Sequence, residues 1–276
     1  MKKILITGHK GFIGKNLYNY LKKKGYNIEG YEYKKNKFPK TSLYDLVVHL
    51  GAISSTTEKD VNKILSQNLD FSIKLINSCN KTNTHLIYAS SAGIYGNTKR
   101  FVEDLKYIPL SPYAWSKYLF DRYILNNKFK ITYQGLRFFN VYGNYEKHKG
   151  EQMSVFHKFY KDSIKKKEIY LFEGSRKIYR DFIFVEDCVQ IIEMFFQVKE
   201  SGIWNLGTGE ATSFYDIAKY YKLKTKTKIK FIKMPLHIKQ NYQYFTKSNN
   251  TKLIKTIGKY RFKNFEYFVD QQFNIK

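Results

Sequence analysis

The feature that most constrains this chain lies near its N-terminus. A short apolar strand, Lys3–Thr7, runs directly into Gly8-His9-Lys10-Gly11-Phe12-Ile13-Gly14 and then into an amphipathic helix over 12–24, ended by Gly25. Glycines spaced G-x-x-G-x-x-G permit a tight turn and let the backbone approach a pyrophosphate, which then rests on the helix N-terminus. Three glycines also suit an ordinary strand-to-helix turn, so the surrounding pattern has to decide.

That pattern repeats the same unit. Apolar strands are predicted at 26–31, 46–50, 85–89 and 132–138, and helical segments at 61–79, 113–126 and 188–198. Strands alternating with helices predict an α/β fold, a doubly wound parallel Rossmann sheet. At 276 residues the chain has material for one large domain with a smaller lobe. The expected division gives 1–142 and about 181–209 to an NAD(P)-binding domain. It gives about 143–180 and 210–276 to a smaller C-terminal substrate lobe.

Glu32 ends the second strand, 18 residues beyond Gly14, where an acid would hydrogen-bond ribose hydroxyls. Lys34, Lys35 and Lys37 follow and would instead neutralise a 2′-phosphate. The acid favours NAD and the lysines favour NADP; the cofactor is expected to be NADP or NAD.

Tyr113 and Lys117 stand four apart on one helical face. An ammonium beside a phenol stabilises the phenolate and fits the phenol for proton transfer near neutrality. With 25 tyrosines in the chain this pair arises by chance. Upstream, however, Tyr88-Ala89-Ser90-Ser91-Ala92-Gly93-Ile94-Tyr95-Gly96 puts small hydroxyl residues at the end of an apolar strand, the edge of a doubly wound sheet where ligands bind. Ser91 would hydrogen-bond the hydroxyl or carbonyl being interconverted.

Together with Arg137-Phe138-Phe139-Asn140-Val141-Tyr142-Gly143, these motifs resemble the extended short-chain dehydrogenase/reductase superfamily of nucleotide-sugar enzymes. A narrower resemblance, to the ADP-L-glycero-D-manno-heptose 6-epimerases, rests on further segments. They are Gly51-Ala52-Ile53-Ser54-Ser55-Thr56-Thr57-Glu58, His148-Lys149-Gly150, Leu171-Phe172-Glu173-Gly174-Ser175, Arg180-Asp181-Phe182, Asn205-Leu206-Gly207-Thr208-Gly209 and Tyr242-Gln243-Tyr244-Phe245-Thr246.

The resemblance implies inversion at C6 of a nucleotide-activated heptose by transient oxidation with bound NAD(P). The alternative is another nucleotide-sugar epimerase or reductase, such as a UDP-hexose 4-epimerase. A 4,6-dehydratase is disfavoured, because that subgroup carries an acidic pair where this chain has Ala92-Gly93. By the same resemblance Tyr113 and Lys149 are the two acid/base groups, and Lys117 supports Tyr113 and holds the nicotinamide ribose. Phe12, Ile13, Leu50, Gly51, Ala52, Ser54 and Val141 would line the dinucleotide beside Gly8, Gly11, Gly14 and Glu32, joined by Asn68 or its neighbour Gln67. Asn140, His157, Phe172, Glu173, Gly174, Ser175, Arg180 and Tyr242 would hold the sugar nucleotide, with Arg180 suited to bidentate contact with a diphosphate.

The chain departs from its relatives between the second strand and the one at 46–50. Only about a dozen residues, 33–44, stand where the family places a helix, a strand and another helix. A crossover helix takes that many by itself, so the sheet is expected to be trimmed around its third strand.

The formal charge of +26, from 49 Lys+Arg against 23 Asp+Glu, raises a nucleic-acid reading. The lysines are spread over 22–24, 34–37, 165–167 and 222–233, at helix ends and in the C-terminal lobe, with no nucleic-acid motif. The charge is therefore read as largely compositional, with part of it steering an anionic nucleotide sugar. No nucleic-acid or membrane partner is expected, since no apolar run approaches the roughly 18 residues needed to span a bilayer. The apolar start ends at Gly8, too short for a signal peptide. Cys79 and Cys188 imply no disulfide framework and no metal site is expected, so the default location is a reducing cytoplasm. The resemblance also implies a homo-oligomer, pentameric in the best-matching subgroup.

Overall fold

The computed structural model describes residues 2–55, 58–104, 106–239 and 242–274. Thr56 and Thr57 of the 51–58 segment lie outside them. In chain order the first half contains β1 (Lys3–Thr7), α1 (Phe12–Lys23), β2 (Asn27–Tyr31), β3 (Leu46–His49), α2 (Val61–Ile64), α3 (Phe71–Thr82), β4 (His85–Ser91), α4 (Pro112–Leu125) and β5 (Tyr133–Phe138). A wide π-type turn, Leu65–Asp70, joins α2 to α3.

The second half contains β6 (Asn140–Tyr142), α5 (Val155–Lys165), β7 (Glu168–Phe172), β8 (Tyr179–Arg180), β9 (Phe182–Phe184), α6 (Val185–Met194) and β10 (Gly202–Leu206). After these come β11 (Thr212–Ser213), α7 (Phe214–Thr225), β12 (Lys228–Ile232), α8 (Leu236–Lys239), α9 (Thr251–Ile257) and α10 (Phe265–Asn274).

Six strands form one parallel sheet in the order β10-β5-β4-β3-β1-β2. Alternate residues of each strand serve opposite faces. Ile4, Ile6, Leu46 and Val48 pack with Leu17 and Leu21 of α1 and with Val189 and Ile192 of α6. Leu5, Val47, Leu86 and Tyr88 pack with Leu75 and Ile76 of α3 and Phe120 of α4. Helices on both faces make the sheet doubly wound, as the alternation predicted. Cys188 belongs to the first of these clusters and Cys79 to the second, and both are free thiols.

The trimmed third strand is equally plain. β2 is the edge of the sheet, and the 32–45 link to β3 holds an isolated bridge between Lys34 and Lys37 and one 3₁₀ turn at Thr41–Leu43. That turn docks on α3 through Thr41 Oγ1, 2.7 Å from Ser78 Oγ.

Several boundaries moved, two of them next to the site or the sheet's helices. β4 runs on through Ser91 because Ala89, Ser90 and Ser91 still pair with Leu136, Arg137 and Phe138 of β5. α6 starts at Val185 rather than at 188, with Glu186 and Asp187 in its first turn, where carboxylates suit the helix dipole.

A second core gathers Tyr142, Phe156, Phe159, Ile169, Leu171, Phe184, Ile217, Tyr221 and Phe268 from α5, α7, α10, β7 and the paired strands β6 and β9. The C-terminal stretch divides between the cores, since Leu253, Ile257, Tyr260 and Phe262 return to the first one. No helix among the described residues is long and apolar enough to cross a membrane.

Candidate active site

The glycine turn is closed by its own backbone. Gly8 has φ +71°, and a Cβ there would lie 2.5 Å from Gly51 Cα. A Cβ on Gly14 would lie 2.0 Å from the Gly8 carbonyl oxygen, whereas on Gly11 the nearest atom is 3.2 Å away. Gly11 caps α1 without a side-chain hydrogen bond, so the first-turn N–H groups remain available to an anion. A backbone cradle of this kind fits a dinucleotide pyrophosphate.

Glu32 Oε1 accepts from Lys10 N at 2.7 Å and lies 3.1 Å from His9 Nδ1. The His9 ring occupies the space that a side chain at Gly30 would fill. Glu32, Gly8, Gly51, Ala52 and Gln67 border a small pocket of about 110 Å³. Asn68 does not reach it: the amide accepts from Ile53 N at 2.8 Å and donates to Ile53 O and to Ser116 Oγ. Of the two register choices, Gln67 is the residue on the pocket. Lys34, Lys35 and Lys37 line a different groove, with Lys74 and Lys81.

The largest share of the expected residues meets in one cleft of about 720 Å³. Gly8, Gly11, Phe12, Ile13, Gly14, Leu50, Ala52, Ser54 and Val141 line it, and so do Ser91, Tyr113, Lys117, Asn140, Lys149, Arg180 and Tyr242. Ser111 caps α4 by accepting from Ala114 N at 3.2 Å, and Pro112 opens the first turn. This start sets Tyr113 and Lys117 one turn apart on the side facing β4.

Burial raises the Tyr113 phenol, and its hydrogen bond with Ser91 opposes that rise. Ser91 also accepts from Gly93 N at 3.1 Å. Lys117 is 4% exposed and donates to Ala89 O at 2.8 Å. Burial draws its ammonium down to about 8, against the pull of Asp121.

Below this pair lies a polar layer that the sequence did not announce. Asp121, fully buried, accepts from Tyr88 OH at 3.1 Å, Ser90 Oγ at 2.9 Å and Arg137 Nε at 2.9 Å. Arg137 continues to Tyr95 OH at 3.1 Å, and Tyr95 donates to Asn205 Oδ1. His49 joins Thr7 Oγ1 at 2.6 Å and Ser72 Oγ at 2.8 Å. Burial, and less so Lys117, lowers it to about 3, so it stays neutral. The only signal for Asp121 is its place four residues after Lys117.

Lys149 enters the cleft from the turn Lys147–Gln152. Its Nζ lies 3.5 Å from Glu146 Oε2 and 5.0 Å from the centre of the Phe12 ring. Glu146, fully buried and unpredicted, organises this turn by accepting from Gly143 N at 3.0 Å, Ser154 N at 2.7 Å and Ser154 Oγ at 2.8 Å. Gln152 reaches across to Ser55 Oγ.

Arg180 is 6% exposed, beneath Tyr242 at 5.3 Å and Phe214 at 5.7 Å, and donates to the carbonyls of Tyr179 and Gln243. Among the described residues it has no carboxylate partner, and burial lowers its guanidinium pKa. A buried cation of this kind asks for an anionic ligand. Phe172 meets Tyr242 edge-on at 6.4 Å, which brings the turn with Glu173, Gly174 and Ser175 beside the cleft without lining it. Ser175 Oγ is buried and has no hydrogen-bond partner among the described residues. His157 is turned away from the cleft: its Nε2 lies 2.6 Å from Gly143 O, and its ring packs on Phe268.

The profile of the NAD dependent epimerase/dehydratase family matches residues 4–207. An ADP-L-glycero-D-manno-heptose-6-epimerase of Brachyspira hyodysenteriae is 36% identical, over 91% of this chain and 90% of that protein. Among solved structures, an ADP-L-glycero-D-manno-heptose-6-epimerase of Helicobacter pylori superposes with TM-score 0.87 at 24% identity, covering 99% of this chain and 95% of the other. A UDP-glucose 4-epimerase of Thermotoga maritima, solved with UDP-glucose, gives TM-score 0.84 at 22% identity, covering 99% and 100%.

Proposed function

The chain belongs to the NAD dependent epimerase/dehydratase family, and from that premise we propose that it inverts C6 of a nucleotide-activated heptose, converting ADP-D-glycero-D-manno-heptose to the L-glycero epimer. The observation that carries this reading is the meeting of two protonatable side chains from separate elements, Tyr113 on α4 and Lys149 on the 147–152 turn, in one cleft. Inversion through a ketone needs a proton taken and a proton returned, which two such groups supply. The 36% identical relative, a heptose 6-epimerase, supports the choice of sugar.

The backbone cradle at Gly8, Gly11 and Gly14 would hold the pyrophosphate of NAD or NADP, and Lys117 the nicotinamide ribose. When bound, that cofactor would supply the reversible hydride transfer that links the C6 alcohol to its ketone. The protein's part is proton traffic and orientation. Tyr113 accepts the C6 hydroxyl proton while Ser91 hydrogen-bonds the same oxygen. Lys117, kept close by Ala89 O, favours the phenolate electrostatically. Once the ketone has turned over, Lys149 donates the proton that restores the hydroxyl. Arg180 clamps the diphosphate, with Tyr242 and Phe172 closing over it and Asn140 at the rim. The same reading makes the protein a cytoplasmic homo-oligomer, checked by sedimentation.

NMR of the C6 signals after incubation with ADP-D-glycero-D-manno-heptose tests the reaction. Appearance of the L-glycero epimer supports the reading. Failure of that conversion together with conversion of a UDP-hexose replaces it with a 4-epimerase. Tyr113→Phe and Lys149→Ala should each lower turnover by about 10²- to 10⁴-fold with the fold intact.

A further inference from the structure

Asp121 does not line the cleft, yet it is joined to α4 and β4, the two elements that carry Tyr113, Lys117 and Ser91. It sits one turn beyond Lys117 on α4, and its carboxylate takes hydrogen bonds from Tyr88 and Ser90, alternate residues of β4. The residues between and after those two make the contacts of the site: Ala89 O receives Lys117, and Ser91 meets Tyr113, with Ser90 between them also lining the cleft. The third bond, from Arg137 Nε, fixes the same carboxylate to β5.

We propose that Asp121 is a positioning residue for the reaction, a clamp that sets α4 against β4 so that Ala89 O and Ser91 Oγ meet Lys117 and Tyr113. The inference rests on the epimerase reading and deepens it.

A purely structural ion pair could bury its acid anywhere along α4. Here the acid lies one turn from the buried Lys117, and its charge acts on that lysine. Burial lowers the Lys117 ammonium to about 8, and Asp121 is the group that pulls it back up. The other groups around Lys117 do not supply that charge. His49 on β3 is held neutral by burial. Tyr88 on β4 is a buried phenol raised well above its ordinary range. Tyr113 on α4 is likewise raised. Arg137 on β5 is positive and is itself compensated by Asp121.

The sign follows. Without Asp121, Lys117 loses its proton at lower pH, and the alkaline limb of every step that needs the ammonium moves down with it. The variants are Asp121→Asn, close in shape and without charge, and the double variant Asp121→Asn/Arg137→Met, which avoids leaving the buried guanidinium unpaired. Each is compared with the wild-type protein by thermal melt, by the pH dependence of dinucleotide affinity in calorimetry, and by the pH dependence of epimerisation.

The expected result for Asp121→Asn is an alkaline limb about one pH unit lower in both profiles. That is roughly a tenfold loss at the alkaline end, with near wild-type values at the acidic end. The double variant shifts in the same direction by less, and it carries the test if the single variant does not fold. Limbs that coincide with wild type in a folded variant overturn the proposal. If the wild-type protein epimerises no heptose, the epimerase reading falls, while the limb of dinucleotide affinity still decides the role of Asp121.

Discussion

Around the glycine turn the cleft is shaped by backbone, and around Lys149 it is shaped by side chains. In the first region Gly8 and Gly14 leave no room for another carbon, and few side chains take part. In the second, Glu146 gathers the backbone of Gly143 and Ser154 so that the turn can present Lys149, while Arg180 is held by the carbonyls of Tyr179 and Gln243 beneath Tyr242. A wall made of backbone tolerates loss of side chains and resists added atoms. A wall made of side chains behaves the other way round.

The largest expected effect sharpens this contrast on the second wall. Arg180→Ala should raise KM for the nucleotide sugar by about 10- to 100-fold, the worth of charge-assisted hydrogen bonds to a diphosphate. A KM within twofold of wild type breaks the assignment of Arg180 to the anion. Next comes the first wall: Gly14→Ala should cost about 1–3 kcal/mol in denaturant unfolding and weaken dinucleotide binding, because the new methyl group meets the Gly8 carbonyl. Gly11→Ala, with its nearest atom at 3.2 Å, should cost clearly less. Equal losses at the two glycines would show that close approach is not what shapes the turn.

Glu146→Gln follows, with about 1–2 kcal/mol lost in unfolding as one buried charged acceptor becomes an amide, and with a lower kcat through displacement of Lys149. Unchanged kcat would mean that Lys149 is placed without Glu146. The smallest effect belongs to Lys10→Ala, which keeps the N–H that Glu32 accepts; stability should stay within about 0.5 kcal/mol.

The same contrast explains what could be read in the sequence. Glycine spacing and apolar alternation are local, so the strand–turn–helix unit and the doubly wound sheet were legible, while the missing third strand was legible only against the pattern of the family the chain resembles. Tyr113, Lys117 and Ser91 were legible because strand and helix periodicity carried them to one edge of the sheet. The side-chain wall depends on partners far apart in sequence. Glu146 lies among lysines, and nothing in its spacing announces a buried acceptor. Asp121 and Arg137 are 16 residues apart and meet only when α4 packs on the sheet. His157 shows the converse failure, since its distance from Lys149 recommended it, yet α5 turns it toward Gly143 O. The choice between Gln67 and Asn68 was open by one residue in the register of the resemblance, and both fall within the π-type turn at Leu65–Asp70.

The loss of the third strand also moves the border of the sheet inward, to β2. A strand in that position offers half of its backbone to any passing chain, and long, flat, apolar borders recruit other strands into aggregates. β2 is five residues long, carries Glu29 in an ion pair with Lys3, contains Gly30, and leads into Lys34, Lys35 and Lys37. Shortness, charge and a run of lysines discourage edge-to-edge pairing, so the lysine-rich link that replaced a crossover also helps keep the molecule in solution.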